Sequence, residues 1–151
     1  MQISSRFTIA VHVLTCVHVL DGQMLLNSET IAGSVGVNPV VVRNIFRQLK
    51  KAGLIVVQRG GNGGVKLARK LEDITLFDVY RAVDSVADGQ LFHFHENPNA
   101  ACPVGRNIHH VMDGRLEEIQ DAMEQKMAQM TLADVVADTE ALIEQQNTIA
   151  G

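Results

Sequence analysis

Tryptophan is absent from the 151-residue sequence, and aromatic residues make up only 4% of it. The apolar core must therefore be assembled largely from Val, Leu, Ile and Met. No apolar run reaches the ~18 residues that a transmembrane helix needs, so no membrane span is expected. The N-terminal apolar stretch is interrupted by His12 and His18 and lacks a small-residue cleavage site, so a signal peptide is not expected either.

Cysteine is also scarce, with Cys16 and Cys102 as the only two residues of this type. Two cysteines do not make a disulfide framework, and reduced thiols in the cytoplasm are the default expectation. Patterns of catalytic residues are missing as well, because no Ser/His/Asp order and no nucleotide-binding loop are present. The only nucleophile candidate is Cys102 beside His109 or His110. We therefore expect that the protein is not an enzyme.

Charge is divided unequally along the chain. The net charge is −4, but residues 1–70 carry nine Lys and Arg against two acids, giving +7. Residues 71–151 carry four against fifteen, giving −11. A basic first half suits contact with a polyanion, with the acidic half outside that contact. The alternative is that the acidic helices only neutralise the basic ones within the fold.

Start and stop signals in the basic half predict three helices. The first runs from about residue 5 to 20, and a short second helix from about 28 to 35, each preceded by residues that cap helices well. The third begins with Asn38 as N-cap and Pro39 as first helical residue, and it continues to about residue 52. The second and third helices are separated by a turn of about three residues, which is helix-turn-helix spacing.

The third helix carries the side chains of a DNA-reading helix. Apolar residues recur along it at three and four positions and predict one buried face, made by Val42, Ile45, Phe46 and Leu49. Arg and Asn read base edges, Lys mostly contacts phosphate, and the N-terminal residues of such a helix reach the bases. The candidates at the major groove, with the N-cap included, are Asn38, Val40, Val41, Arg43, Asn44 and Arg47. The candidates for backbone phosphates are Lys50 and Lys51.

A hairpin is predicted directly after this helix. Gly53 suits a helix stop, and two β-rich segments follow over residues 54–58 and 65–67, joined by a loop with four glycines. A helix followed by a hairpin with a basic tip is the order of a winged helix-turn-helix, and such a tip can enter a narrow minor groove. A plain flexible hairpin is the alternative. The further DNA-contact candidates are Arg59, Asn62 and Lys66 in the hairpin, with Ser5 and Arg6 at the first helix start, where a backbone amide can meet a phosphate.

The acidic half is predicted to be helical. Thr75 begins a fourth helix, and Asp78 is placed for a capping box. A loop rich in Asn, His, Pro and Gly follows over about 88–103. A long helix then runs from residue 103 to about 130, and a last helix from 132 to about 146.

The long helix carries an apolar stripe at heptad-like spacing. About 26 residues extend for ~39 Å, which a single domain of about 70 residues, with a radius of gyration of ~11 Å, can hardly cover. We therefore expect the stripe to pair with a second copy in a homodimer; packing against the chain's own helices is the alternative. The predicted interface residues are Ile108, Met112, Leu116, Ile119, Met123 and Met127.

Together these elements predict a mainly α protein, a winged helix-turn-helix domain with a long C-terminal dimerisation helix. We expect the DNA-binding domain over residues 1–74 and the dimerisation helices over residues 105–151. A connecting helix and a sensor loop would occupy residues 75–104.

Four segments also resemble a known family. They are residues 59–69 (RGGNGGVKLAR), 97–106 (NPNAACPVGR), 74–79 and 4–7. They are similar to bacterial winged-helix transcription regulators that include the iron–sulfur cluster regulator, the nitric-oxide-sensitive repressor and the cysteine-metabolism repressor (IscR/NsrR-like). The resemblance implies a homodimer that binds a palindromic operator and usually represses. The wing of this sequence, which is the hairpin predicted over residues 54–67, differs from that of the family in having Val65 where an aromatic residue is usual.

Cys102 is the predicted sensor residue. Many members of that family carry three cysteines in this loop that ligate an iron–sulfur cluster, whereas Cys102 stands alone here, so no cofactor is predicted. Its position before Pro103, at a helix start, favours the thiolate and so permits reversible oxidation or alkylation. An inert loop cysteine is the alternative.

Four histidines near Cys102 offer a second kind of site. His93, His95, His109 and His110 could join Cys102 as mixed metal ligands. Their spacing matches no closed zinc motif, so no metal is predicted. Solvated or pH-responsive histidines are the alternative.

The sequence therefore predicts a cytoplasmic, sequence-specific DNA-binding transcription regulator. We expect a homodimeric repressor on a palindromic operator that responds to a redox or small-molecule signal. Double-stranded DNA and a second copy of the chain are the expected partners, with no membrane. The alternative is a winged-helix protein–protein interaction module without DNA binding, against which the +7 charge of the first half argues.

Overall fold

The fold is mainly helical with one small sheet, as the sequence predicts. A computed structural model describes residues 3–60, 63–83, 85 and 87–151. The helices are α1 (Arg6–Val19), α2 (Ser28–Val35), α3 (Pro39–Lys51), α4 (Leu76–Ala82), α5 (Pro103–Gln129) and α6 (Leu132–Ala150). The strands are β1 (Ile55–Gln58) and β2 (Gly64–Leu67), and short 3₁₀ turns lie at Leu71–Asp73 and Ala87–Gly89. Within the described residues, no helix is both long and apolar enough to span a membrane.

Local caps fix the two helices of the helix-turn-helix. The Asn27 side chain accepts a hydrogen bond from the Thr30 amide at 2.9 Å, and the Thr30 hydroxyl accepts one from the Asn27 amide at 3.0 Å. Gly36 ends α2 with a φ of 79°, a left-handed conformation that glycine adopts without strain. The Asn38 side chain then accepts from the Val40 amide at 2.9 Å, which confirms Asn38 as the N-cap of α3.

The start of α1 differs in detail from a capped helix. Ser5 occupies the N-cap position, but its side chain makes no cap hydrogen bond. The preceding residue, Ser4, accepts from the Arg6 amide through its hydroxyl at 3.2 Å. Ser5 already has a helical backbone conformation, with φ −58° and ψ −14°. Since an N-cap side chain bonds well only from an extended residue, the hydroxyl of Ser4 takes the capping role instead.

One apolar core joins elements from both halves of the chain. Three fully buried residues of α3, namely Val42, Ile45 and Leu49, lie in the same cluster as the buried face of α1. Phe46, predicted on that buried face, is half-buried and packs against the edge of the core. The core also includes residues beyond position 74, and these are Val79, Val83, Leu132 and Val136. Helix α3 thus shares one core with the last helix as well as with the first. Val86, which continues the predicted apolar stripe of the fourth helix, lies outside the described residues.

The predicted hairpin is confirmed as an antiparallel pair. Ile55 lies opposite Leu67, and Gln58 lies opposite Gly64. Ile55 is buried and the three residues of β1 that follow it are exposed, whereas Val65 of β2, opposite Val57, keeps the hairpin in contact with the core. The tip residues 61 and 62, including the predicted contact Asn62, lie outside the described residues.

The segment that follows the long helix α5 contacts the segment that precedes α4. A backbone bridge joins Thr75 to Thr131, flanked by a hydrogen bond from the Leu132 amide to the Ile74 carbonyl at 2.8 Å. Thr75 and Thr131 each form a capping box, the first with Asp78 as predicted. The last helix continues past the predicted end near residue 146, to Ala150, because no Gly or Pro interrupts it before Gly151. It packs along α1 of its own chain.

Candidate nucleic-acid interface and sensor loop

Helix α3 is divided cleanly into a buried face and an exposed face. Val42, Ile45 and Leu49 are at most 1% exposed. Because the apolar residues hold one face against the core, the other face is presented to solvent near the start of the helix, where Val40 is 52% exposed and Val41 is half-buried. The long polar side chains on that face are all exposed, and they are Arg43, Asn44, Arg47, Lys50 and Lys51.

Arg43 has a partner on the neighbouring helix. Its guanidinium donates to the Ser28 hydroxyl in the first turn of α2, at a distance of 3.5 Å. This contact crosses the helix-turn-helix and holds the Arg43 side chain along the α2 start. Sequence reasoning missed Ser28, because a hydroxyl fifteen positions away carries no local signal for the contact.

Two glycines of the wing are required by close backbone approaches. A Cβ atom on Gly63 would lie 2.3 Å from the Gln58 carbonyl oxygen, closer than real Cβ contacts. Gly64 has a φ of 142°, and a Cβ atom there would lie 3.0 Å from the Leu26 carbonyl oxygen. That carbonyl accepts a hydrogen bond from the Val65 amide at 3.1 Å. The hairpin is therefore fastened to the segment between α1 and α2.

Lys66 belongs to the base of the wing and not to its tip. Its ammonium group donates to the Asp21 carboxylate in the turn after α1. The hydrogen bond from Lys66 is the main reason that the pKa of Asp21 lies below its usual value, and the positive charge of Lys66 adds to it. We expected Lys66 to face DNA with its charge available. Instead, any phosphate contact at Lys66 has to compete with Asp21, because β2 turns this side chain toward the α1–α2 segment.

The remaining predicted DNA contacts are distributed between the wing and α1. Arg59 follows β1 directly and is exposed. The Arg6 amide, predicted to meet a phosphate, already donates to Ser4, whose hydroxyl also accepts from the Arg6 guanidinium at 3.3 Å. Ser5 is exposed beside it. A phosphate at the α1 start would therefore have to displace Ser4 from the amide.

Cys102 occupies the N-cap position of α5 and is exposed. The nearby backbone amides of Gly105 and Val104 hold the pKa of the Cys102 thiol below its usual value, although the side chain makes no capping hydrogen bond; desolvation acts in the opposite sense. The direction is the one that its position at a helix start predicts. A larger thiolate fraction at neutral pH makes Cys102 more nucleophilic than an ordinary exposed cysteine.

The loop before Cys102 is folded tightly over the α5 start. The Asn99 side chain accepts from the Ala101 amide at 2.9 Å, and the Asn99 carbonyl accepts from the Cys102 amide at 3.1 Å. A Cβ atom on Gly105 would lie 2.3 Å from that carbonyl oxygen. Glycine at position 105 thus lets the loop approach the first turn of the helix, next to Cys102.

The histidines near this loop pack against an aromatic ring and an acid. The rings of Phe94 and His109 have centroids 3.8 Å apart, and the His95 ring stacks on Phe94 at 4.6 Å. His109 Nδ1 lies 3.2 Å from the Asp113 carboxylate. In the part of the chain that the structure describes, no group of three or more His, Cys, Asp or Glu residues is arranged to hold a metal ion.

The two cysteines do not fit an iron–sulfur cluster bound by one chain. Such clusters are held mainly by several Cys thiolates. Cys102 is exposed at the α5 start, whereas Cys16 is buried in α1, where its sulfur donates to the Ser34 hydroxyl at 3.4 Å. One chain therefore offers too few cysteine ligands at one place for the iron–sulfur cluster that many members of the resembling family bind.

Helix α5 has no fully buried residue along its 27 positions. The predicted interface residues Ile108, Met112, Leu116, Met123 and Met127 are half-buried, and Ile119 is exposed. Helix α4 packs on α5, and Gln120 fastens the preceding loop by accepting from the Leu91 amide at 3.0 Å. These contacts leave the apolar stripe of α5 incompletely covered within the chain.

Comparison with protein families gives one match over most of the chain. The family model Rrf2, described as an iron-dependent transcriptional regulator, matches residues 3–138. Among curated proteins, an inferred HTH-type transcriptional regulator of Bacillus subtilis (strain 168), YwnA, is 42% identical over 135 residues. That alignment covers 89% of this chain and 97% of the relative.

Two solved structures have the same fold. The crystal structure of an inferred DNA-binding protein is 39% identical and superposes with a TM-score of 0.67, covering 87% of this chain and 98% of the other. IscR of T. potens superposes with a TM-score of 0.69 at 23% identity, covering 94% of this chain and 90% of IscR. The second match supports the fold alone.

Replacing Gly105 with Ala tests the role of the loop in activating Cys102. The rate of Cys102 alkylation by iodoacetamide should rise with pH through a midpoint below that of a free thiol, about 8.5. In Gly105→Ala the new methyl group displaces Asn99, so the midpoint should move up toward the free value. Mass spectrometry of the Cys102 peptide measures the rate.

Gly114→Ala on the same helix is the matched control, because nothing lies within 4 Å of a Cβ atom there. Its midpoint should equal that of the wild type. Equal midpoints for all three proteins, at the free-thiol value, would contradict the assignment of Cys102 as an activated thiol.

Proposed function

Because the chain belongs to the Rrf2 family of transcriptional regulators, we propose that it is a homodimeric repressor that binds a palindromic operator in the cytoplasm. Its relatives are transcription regulators and not enzymes, as the sequence predicted, and the family resemblance is confirmed. The proposal rests on one observation, the separation of α3 into a buried apolar face and an exposed polar face. Its apolar face is fixed in the core, and its exposed face begins with Val40, Arg43 and Asn44.

Roles at the major groove follow from the chemistry of these side chains. Arg43 and Arg47 can each donate a bidentate pair of hydrogen bonds to guanine, and Asn44 can bond adenine in the same manner. The exposed Val40, with Val41 beside it, offers methyl groups that suit the thymine methyl. Lys50 lies farther along α3, where phosphate is the nearer target and the contact carries no sequence information.

Asn38 and Ser28 act in this proposal as positioning residues. The Asn38 side chain is engaged in capping α3, so it sets the angle at which the helix begins. Ser28 holds Arg43 before DNA arrives, which lowers the ordering cost of that long side chain on binding.

The wing supplies the second part of the contact. Arg59 projects beyond the last paired residue of β1, where a minor groove with a strong negative potential would attract it. Asn62, which lies outside the described residues, is proposed as a further DNA contact. The ion pair between Lys66 and Asp21 links the wing to the turn after α1, so Lys66 contributes by holding the wing in place. Lys66 would contact a phosphate only if this ion pair breaks.

Dimerisation through α5 would set the spacing of two reading helices. The partly covered stripe of Ile108, Met112, Leu116, Ile119, Met123 and Met127 is the proposed interface. Two copies related by a twofold axis match a palindromic operator, whose half-sites lie about one helical turn of DNA, ~34 Å, or a multiple of it apart. This arrangement also explains why a helix of 27 residues keeps apolar side chains at its surface.

Cys102 is the proposed signal-receiving residue. It caps the start of the proposed dimerisation helix, so a change at the thiol would act on the first turn of that helix. Oxidation by a peroxide to a sulfenic acid, with the peroxide reduced to water or an alcohol, or alkylation by an electrophile would modify the sulfur beside the amides of Val104 and Gly105. No cluster is needed for this chemistry.

Separate substitutions distinguish base reading from phosphate contact. In a mobility-shift titration with DNA from upstream of the protein's own gene, Arg43→Ala should cost about 1–3 kcal/mol and relax the base preference. Lys50→Ala should weaken binding to all sequences alike and lower the salt slope by about one.

Arg115→Ala, on the exposed surface of α5, is the control and should leave both quantities unchanged. If Arg43→Ala binds like the wild type with the same preference, the docking of α3 is wrong. If the wild type fails to bind any DNA at low salt, a protein–protein interaction module replaces the repressor proposal.

Placing a charge on the stripe tests the dimer. Leu116→Glu would bury a carboxylate between two copies, so sedimentation should show a large shift toward monomer. Gly114→Glu is the matched control, because Gly114 lies two residues from Leu116 on the opposite side of α5, with nothing within 4 Å of a Cβ atom, and it should remain a dimer. Dimers of equal stability in both variants would place the interface elsewhere.

A further inference from the structure

A cavity of about 460 Å³ that is open to solvent lies between α1 and α6, with the exposed residues His12, Ser34 and Ile143 at its edge. Its walls come from α1, from the end of α2 and from α6, with Val11, Val19, Val135 and Ile143 among the apolar lining residues. The volume falls in the range of about 300–1,000 Å³ that is typical of small-molecule sites. The loop that carries Cys102 contributes nothing to these walls, so this is a different site from the proposed sensor.

Three polar side chains meet at one wall of the cavity. The Ser34 hydroxyl lies 3.0 Å from His12 Nε2 and 3.4 Å from the sulfur of Cys16. All three residues line the cavity. A single hydroxyl thus links an imidazole and a thiol that come from successive turns of α1, and the wall can both donate and accept hydrogen bonds.

The other hydroxyl groups of the cavity are already engaged. Thr15 donates to the Val11 carbonyl at 2.8 Å, and Thr139 donates to the Val135 carbonyl at 2.7 Å. Their polar atoms are turned onto the backbone of their own helices. The hydrogen-bonding capacity open to a ligand is therefore concentrated at His12 and Ser34.

We infer that this cavity binds a small, mostly apolar, neutral molecule that carries one hydroxyl group, of the phenol or alcohol class. The apolar body fits between α1 and α6, and the hydroxyl reaches His12 and Ser34. A charged ligand suits the site poorly, because no Lys, Arg, Asp or Glu lies among the residues that line it.

Such a ligand would couple α6 to the reading domain. Val135, Thr139 and Ile143 come from α6, whereas Ser34 belongs to α2, the first helix of the helix-turn-helix. A molecule that fills the space changes how closely α6 can approach α1 and α2. The cavity thus acts as an effector site, and this regulatory role, unlike the binding itself, rests on the proposed function.

Thiol protection tests the binding without DNA. The probe is para-propylphenol, and the readout is alkylation of each cysteine by iodoacetamide, measured by mass spectrometry. Cys16 lines the cavity, so the probe should slow its alkylation several-fold. Cys102 is the control within the same molecule, because it is exposed and lies outside the cavity; its rate should not change.

Propylbenzene, which has the same body without the hydroxyl, tests the polar wall. It should protect Cys16 only at roughly fivefold higher concentration, the factor expected for one hydrogen bond. Equal protection of both cysteines, or none at Cys16, would overturn the site. Equal potency of the two compounds would overturn the role of His12 and Ser34.

Filling the cavity from α6 provides a second test. In Ile143→Trp the indole should occupy the space, so para-propylphenol should no longer raise the melting temperature. Leu142→Trp is the matched control: it is 56% exposed, does not line the cavity and should respond like the wild type. A retained shift in Ile143→Trp, or a lost shift in Leu142→Trp, contradicts the assignment.

The regulatory role is tested separately by DNA affinity. The probe should change the affinity for operator DNA severalfold in the wild type and in Leu142→Trp, and leave it unchanged in Ile143→Trp. Protection of Cys16 without any change in affinity would overturn the effector role and leave the binding site in place. Failure to bind DNA in all proteins would refute the proposed function, while Cys16 protection would still report on the cavity.

Discussion

Burial of one face of α3 is the constraint on which the rest of the structure depends. Val42, Ile45 and Leu49 are fixed in the core, each contributing about 1.5–3 kcal/mol by burial. A helix held along one side can present only the opposite side, and here that side carries Arg43 and Asn44. The same core includes Leu132 and Val136 of α6. The proposed DNA-contact surface thus depends on a core that is completed by the helix that follows the long α5.

Contacts distant in sequence hold the hairpin beside α3, and the two together form the proposed DNA-contact surface. The wing is held at its base because the Leu26 carbonyl accepts from Val65 and because Lys66 pairs with Asp21. Gly63 permits the close turn that these contacts need. The proposed control sites lie elsewhere, at the α5 start and between α1 and α6. Each of them adjoins a helix that shares the core with α3 or that would set the spacing of two copies, so a chemical change there could alter DNA binding.

The sequence predicted those features that depend on neighbours along the chain. Asn38 before Pro39, and Thr75 before Asp78, each carry a cap signal within three residues, and both caps are observed. The pairing of Lys66 with Asp21 could not be predicted, because forty-five positions separate the partners and only the fold brings them together. The cavity was missed for the same reason, since its walls come from α1, α2 and α6. The lowered pKa of Cys102 was predicted in direction, but the dependence on Gly105 and Asn99 requires the folded loop.

The central claim is that the exposed face of α3 enters the major groove of operator DNA. Dimethyl sulfate footprinting tests it most directly, because the reagent methylates guanine N7 in that groove. The account predicts protected guanines in two symmetric half-sites, with centres about one helical turn or a multiple of it apart. A complex that forms on the operator but leaves every guanine N7 as reactive as in free DNA would contradict it.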